Sequence, residues 1–198
     1  MQGMRFGLAL FSAAAALAIS PAYAIMSAPD GWFAEGNIGK ADIANESLPG
    51  SHNQSGVSGN LNVGYKFMPF FAMEVGYSNF SSMTIKDGMG NKAGDASFYS
   101  YDLAGKGIVP ISDSGFELFA KVGVDRMNQR ISIDDTTVAN NIGLTRTQHS
   151  NTNYYLGLGG QYYFMPELAA VLQWQHSQGD SSTGDADFYS IGMSFIFA

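Results

Sequence analysis

The sequence predicts an all-β chain: an eight-stranded antiparallel up-and-down transmembrane β-barrel, preceded by a cleaved signal peptide. Three observations predict it. In eight segments apolar residues alternate with small or polar ones at a period of two, the period of a strand whose successive side chains point to opposite faces. The amino terminus has the layout of a secretory signal. Beyond it, no run approaches the ~18 apolar residues that a spanning helix requires. An exported chain of this kind can still reside in a membrane, as a closed barrel in which every backbone group is paired.

Residues 1–24 carry one positive charge, Arg5, an apolar run from Phe6 to Ile19, then Pro21 and the small-x-small triplet Ala22-Tyr23-Ala24. The run is too short for a permanent span, so residues 1–24 read as a signal peptide and residues 25–198 as one barrel domain. Cysteine is absent, which excludes disulfide staples and thiolate chemistry. The net charge is −7. An acidic chain without a basic cluster excludes nucleic acid as a partner.

The predicted strands cover 31–41, 58–68, 70–80, 97–109, 115–128, 151–164, 167–177 and 187–197. Connections after the second, fourth and sixth are short and carry Pro69, Pro110 and Pro166. Those after the first, third, fifth and seventh are longer and rich in Gly, Asn, Ser and Asp. Short turns at one end and long loops at the other are the layout of an outer-membrane barrel, and an even strand count brings both termini to the short-turn, periplasmic end.

One parity is apolar: Leu61, Val63, Tyr65 and Phe67, for example, or Phe71, Met73, Val75 and Tyr77. The other collects nearly every charge within the strands, together with Gly, Ala, Ser and Asn. A soluble, lipocalin-like barrel is the competing arrangement, with the charged face outward. Two features oppose it. A solvated face has no need of small residues, whereas the narrow interior of an eight-stranded barrel does. Aromatics on the apolar face also gather near the strand ends, as in the rings that sit at bilayer interfaces. Trp32, Phe67, Phe71, Phe116 and Phe164 lie near the short turns; Tyr77, Tyr99, Tyr154, Trp174 and Tyr189 lie near the long loops. The apolar parity is therefore assigned to lipid and the polar parity to the lumen.

The last strand alternates Tyr189, Ile191, Met193, Phe195 and Phe197 with Ser190, Gly192 and Ser194. This ending resembles the closing strand of bacterial outer-membrane barrels, where the terminal aromatic strand is the address read by the assembly machinery; Phe195 and Phe197 match it, with Ala198 one residue beyond the usual end. Other segments carry a wider resemblance: Gly31-Trp32-Phe33-Ala34-Glu35-Gly36, Ala72-Met73-Glu74-Val75-Gly76-Tyr77, Asp102-Leu103-Ala104-Gly105-Lys106, Phe119-Ala120-Lys121-Val122-Gly123, and Gly159-Gly160-Gln161-Tyr162 leading to Pro166-Glu167. On these the chain resembles the OmpA transmembrane-domain family and its OmpX-like relatives. The resemblance implies an outer-membrane barrel with a luminal ion-pair cluster, in which Glu74, Lys106 and Lys121 match family positions. Where the family usually has an acid and an arginine, this chain has Gln161 and Val171. The resemblance further implies outer-membrane lipids, lipopolysaccharide and the barrel-assembly machinery as partners, and a monomer.

Position along the strands gives a similar cluster. Measured from the nearest short turn or chain start, Glu35, Lys66, Glu74, Lys106 and Lys121 lie at similar heights, since a tilted strand rises about 2.5 Å per residue along the barrel axis. Charges in so narrow a slab are tolerable only when paired and hydrogen-bonded. The belt reads as a structural plug, with a gate as the alternative.

No catalytic, cofactor-binding or metal site is predicted. His176 and Ser177 invite comparison with barrel lipid A deacylases, but adjacent strand residues point to opposite faces and cannot act as nucleophile and base. The other histidines, His52 and His149, fall in predicted loops. Asp134, Asp135, Asp180, Asp185 and Asp187 show no calcium-ligand spacing. The connection from 129 to 150 contains Ile131, Ile133 and Val138, then Asn140-Asn141, and predicts a protruding hairpin turning at the asparagines. The functional expectation is a structural and surface-recognition protein whose loops meet a host or cell-surface ligand. A small porin or transporter for small or apolar solutes is the alternative, and a lipid-modifying barrel enzyme a distant one.

Overall fold

The computed structural model describes residues 29–44, 51–54, 56–111, 114–145, 147–180 and 183–197, with side chains left undescribed at 51–54. The signal-peptide reading of 1–24, Arg146 and Ala198 lie outside the described residues. The elements are β1 (Gly31–Ala44), β2 (Ser51–Gln54), β3 (Ser58–Met68), β4 (Phe71–Lys86), β5 (Lys92–Ile111), β6 (Phe116–Ile133), α1 (Thr136–Asn141), β7 (Gln148–Met165), β8 (Leu168–Ser177) and β9 (Asp185–Phe197).

All pairings are antiparallel, and they close. β1 pairs with both β3 and β9, from Trp32 opposite Phe197 to Ala44 opposite Asp185, and β4 pairs with β5. Eight strands thus complete the circuit β1-β3-β4-β5-β6-β7-β8-β9 and return to β1, so the sheet closes on itself as a barrel. The short β2 is a ninth segment. It pairs with Met83–Lys86 of β4, while β3 pairs with Phe71–Asn79, so β2 and β3 continue one line along the same neighbour.

The period-two faces hold. Ile38, Leu61, Val75, Leu103, Val122, Leu158 and Ile191 face outward and are about half exposed, while Glu35, Asn62, Glu74, Lys106, Lys121, Gln161 and Ser194 on the other parity are buried. A register shift between Phe80 and Met83 breaks this parity in β4. A bulge of this kind leaves one residue unpaired, so the inward position moves from Phe80 to Met83 and Ile85.

The strands differ in height. β5 has 20 residues and β6 and β7 have 18 each, against 10 in β8 and 11 in β3. β6 and β7 extend beyond their predicted ends, but no hairpin turns at Asn140-Asn141. Asp135 instead caps α1, its carboxylate accepting from the backbone N–H groups of Thr137 and Val138. The helix folds across the barrel end and buries Ala139 and Leu144, with Val138, Ile142 and Ile133 packed beside them. The apolar residues of this connection are accordingly a lid. A protruding ribbon would have exposed them to solvent on both faces.

Candidate functional site: a charged plug in the lumen

The lumen is filled in layers. At the short-turn end Phe33, Ile108, Phe119, Tyr163, Val171 and Ile196 form an apolar floor. These residues share parity with the luminal charges, and glycine makes room for two of the rings. A Cβ on Gly64 would run into the Phe33 ring, and one on Gly159 into Phe119. At the long-loop end a second apolar layer of Phe80, Met83, Ile85, Phe98, Met127, Ile131 and Phe188 lies under α1. Lys92 fastens this end by pairing with Asp95 and Asp134, each at 2.7 Å. Its bonds to Asp134 and Asp95 push its pKa up to about 12.

Between the two apolar layers lies the charged belt. Lys121 contacts Glu74 at 2.7 Å and Glu35 at 3.4 Å, and Lys106 contacts Glu35 at 3.2 Å. Glu74 reaches Lys121 across the intervening strand because Ala104 and Gly123 stand opposite it in register, and neither obstructs the lumen. Asn37 and Asn62 donate to Glu35 Oε1 at 3.0 and 3.4 Å. Lys106 also lies 4.1 Å from the Phe119 ring centroid, so the floor contributes a cation–π contact.

Lys66, by contrast, does not join these four. It pairs with Glu117 at 3.1 Å. Gln161 links the two groups: its Oε1 accepts from Lys106 at 3.1 Å, and its amide donates to Glu117 at 2.5 Å and to the Tyr163 hydroxyl at 3.0 Å. Where the resemblance leads one to expect an acid, an amide bridges a lysine and a glutamate. Glu117, Asp102 and Asp125 are the luminal acids that the height argument did not bring into the belt. Asp102 and Asp125 are opposite each other in register, and both are buried. Further along, Asn37, Asn60 and Gln175 form a hydrogen-bonded chain across the lumen.

Outside the barrel, Trp32, Phe67, Phe71, Phe116 and Phe164 face outward near the short turns, and Tyr77, Tyr99, Tyr154, Trp174 and Tyr189 near the long loops. Tyr65 joins Trp32 to Phe67 by edge contacts at 5.4 and 4.9 Å, and Phe67 stacks on Phe71. Tyr101 joins Tyr77 and Tyr99. Phe195 and Phe197 lie outward on β9, edge to face at 4.9 Å. His176 is also outward. Its Nδ1 is 3.0 Å from Asp187 Oδ1, which accepts from Trp174 Nε1 at 3.1 Å. Ser177 is buried on the opposite face and takes no part in that pair. The remaining loop acids hold their own backbone or a lysine: Asp180 accepts from Thr183, and Asp185 from the Gly179 amide.

A family model described as outer membrane protein beta-barrel domain matches residues 6–197. The chain belongs to this family. It is an outer-membrane β-barrel. Among solved structures it is similar to OprG of Pseudomonas aeruginosa, at TM-score 0.60 and 13% identity over 88% of this chain and 99% of that one. Neisserial surface protein A gives 0.57 and 12% over 84% and 97%. Ail, the attachment invasion locus protein of Yersinia pestis, gives 0.55 and 14% over 85% and 97%, and it has also been solved with the heparin analogue sucrose octasulfate. No curated protein sequence matches the chain.

Proposed function

We propose that the protein is a structural and surface-recognition barrel with no enzymatic chemistry, which presents the tall wall of β4–β7 outside the cell while its lumen stays plugged. The observation that carries the reading is the combination of a tall wall with a filled interior. The outward face of β6 is apolar from Phe116 to Val124, then turns to Arg126, Arg130 and Ser132. Everything beyond Val124 therefore stands clear of an apolar band about 25 Å tall. Beneath it, the apolar floor, charged belt, second apolar layer and α1 leave the lumen to side chains. Exposed loops and walls on a rigid scaffold are where recognition is placed.

In this reading residues 1–24 are removed on export and both mature termini are periplasmic. The two sets of outward aromatics seat the barrel at the bilayer interfaces, Phe195 and Phe197 address it to the assembly machinery, and it works as a monomer among outer-membrane lipids and lipopolysaccharide. The luminal ion pairs are a plug. To test recognition, residues 129–150 are replaced by a short turn and the barrel is displayed on a non-adherent bacterium. Binding to host cells should fall while heat-resistant barrel folding persists; undiminished binding would overturn the reading.

One observation favours a second reading, passage of small apolar solutes. A pocket of about 710 Å³ opens on the barrel wall among Ile38, Val57, Leu61, Tyr77 and Phe80, where β1 runs on beyond its last pair with β3, Gly39 opposite Ser58. Uptake of an apolar solute into vesicles that contain the barrel, and its loss on filling the pocket with Gly59→Phe, would support this reading.

A further inference from the structure

We propose that the lumen holds a calcium ion between Asp102 of β5 and Asp125 of β6. The first argument is charge. Among the described residues the buried charges are five acids, Glu35, Glu74, Asp102, Glu117 and Asp125, and three lysines, Lys66, Lys106 and Lys121. Each lysine has an acid of its own: Lys66 has Glu117 at 3.1 Å, Lys106 has Glu35 at 3.2 Å, and Lys121 has Glu74 at 2.7 Å. Asp102 and Asp125 are left over. They are direct cross-strand partners, and like charges so placed repel. Burial leaves that repulsion poorly screened, and two unpaired negative charges call for a counter-charge of two.

The second argument is the set of oxygens around them. Asp102 Oδ1 and both carboxylate oxygens of Asp125 accept no hydrogen bond from the protein. The Ser177 hydroxyl stands near Asp125, outside bonding distance. Asn62 gives its amide N–H to Glu35 at 3.4 Å, so its Oδ1 turns the other way and has no partner. A Cβ on Gly76 would collide with that oxygen and with Asp102 Oδ2 alike, so the missing side chain lets two acceptors share one space. Tyr155 stands opposite Gly123, and the charges that act most strongly on its hydroxyl are Asp102 and Glu74, two and three strands away. The ring therefore reaches over Gly123 into the same space, where the hydroxyl of this buried residue has no partner either. Buried polar groups are normally satisfied, and acceptors that face one another call for a cation or a donor between them. The two uncompensated charges favour the cation.

The third argument is the kind of ion. Cysteine is absent, His149 is exposed and His176 faces outward, so metals that prefer sulfur or imidazole find no ligand here. No three His, Asp or Glu side chains among the described residues are placed to hold a metal by themselves, so neutral oxygens complete the shell. Calcium takes about six to eight oxygens in irregular geometry, carboxylate and amide alike, whereas magnesium demands a near-ideal octahedron. With the apolar floor below and α1 above, the ion enters as the barrel folds.

The test starts from the barrel refolded into zwitterionic detergent with calcium or with a chelator, cleared of loose ions by gel filtration and assayed by plasma mass spectrometry. Refolded with calcium, the parent should carry about one ion per barrel, and Asp102→Asn/Asp125→Asn at least about tenfold less. Asp42→Asn/Asp187→Asn, a cross-strand acid pair on the outer surface, should leave the content unchanged. Urea unfolding adds a readout that lost packing would not move. In chelator the luminal Asn variant should outlast the parent, because a buried repulsion is gone; calcium should raise the parent's midpoint and leave the variant's where it was. A parent without calcium, undiminished calcium in the folded luminal variant, or a parent midpoint equal in calcium and chelator would each overturn the proposal. The first and last of these are read on the parent alone. A calcium-free parent whose midpoint falls as pH rises through neutrality would overturn it in favour of a shared proton, since carboxyls that hold a proton in the fold lose that stability with it. Failure here leaves the plug, which conductance tests, untouched.

Discussion

Glu74→Gln is the sharpest perturbation of the plug. Glu74 and Lys121 have side chains wholly excluded from solvent and stand 2.7 Å apart. The other acid on Lys121 is Glu35, at 3.4 Å, and Glu35 is shared with Lys106 at 3.2 Å. Two acids and two lysines therefore balance, and removing one charge leaves two lysines on a single carboxylate. Breaking a buried pair from one side costs about 3–5 kcal/mol. Glu74→Gln belongs at the lower end of that range, because Gln keeps the shape and offers Lys121 an oxygen. Lys121→Met belongs at the upper end, because Glu74 has no second lysine. The double variant restores neutrality around an intact Glu35–Lys106 pair and should cost less than either single change, so the coupling is at least as large as the costlier single, about 5 kcal/mol. Urea unfolding from lipid vesicles reads this out through Trp32 and Trp174, the two tryptophans of the chain. A Glu74→Gln barrel within about 0.5 kcal/mol of the parent, or strictly additive singles, would refute the coupled belt.

Three further perturbations test other layers. Val75→Lys places a charge on the outward face where Val75 is 55% exposed, and should cost about 2–4 kcal/mol in vesicles, with Val75→Leu near neutral; equal stabilities would contradict the assignment of that face to lipid. Gly159→Ala should cost about 1–3 kcal/mol by overpacking, since its Cβ meets the Phe119 ring and the Leu172 carbonyl, whereas Gly88→Ala has open space and should be silent in the same melts. Asp87, in the turn between β4 and β5, has its pKa held below 3.8 by the Asn91 side chain and the amides of Asn91, Met89 and Gly90. A lowered carboxyl contributes order above its ordinary value and loses it as pH falls through the lowered one. The Asn91 amide should therefore stay protected at pH 3.8 and open below it, and an Asp87 carboxyl titrating at or above 3.8 by NMR would contradict the turn geometry.

The alternation of small and apolar residues was enough to read strand number, order and facing, because a one-residue error would turn a whole strand inside out. Lumen partners were harder to read. Glu74 with Lys121 could be anticipated from consecutive strands, but Lys66 with Glu117 crosses the lumen between β3 and β6, and stagger around the closed barrel decides which side chains meet there. Phe33, Phe119 and Tyr163 carried a signal, sharing parity with the charges, and were obscured by the expectation of a uniformly polar interior. The lid is not legible in the sequence for a different reason. Thr136–Asn141 is a single short turn with weak propensity, made helical by the Asp135 cap and by burial of Ala139 and Leu144 against residues far away in sequence.

The plugged lumen is the claim on which the functional reading depends, and planar-bilayer recording of the refolded barrel tests it most directly. The parent should show no stable open level, and Glu74→Gln, which loosens the belt without removing the apolar floor or α1, should show none either. Stable, ion-selective conductance by the parent, altered by Glu74→Gln, would contradict the plug and make the charged belt a gate.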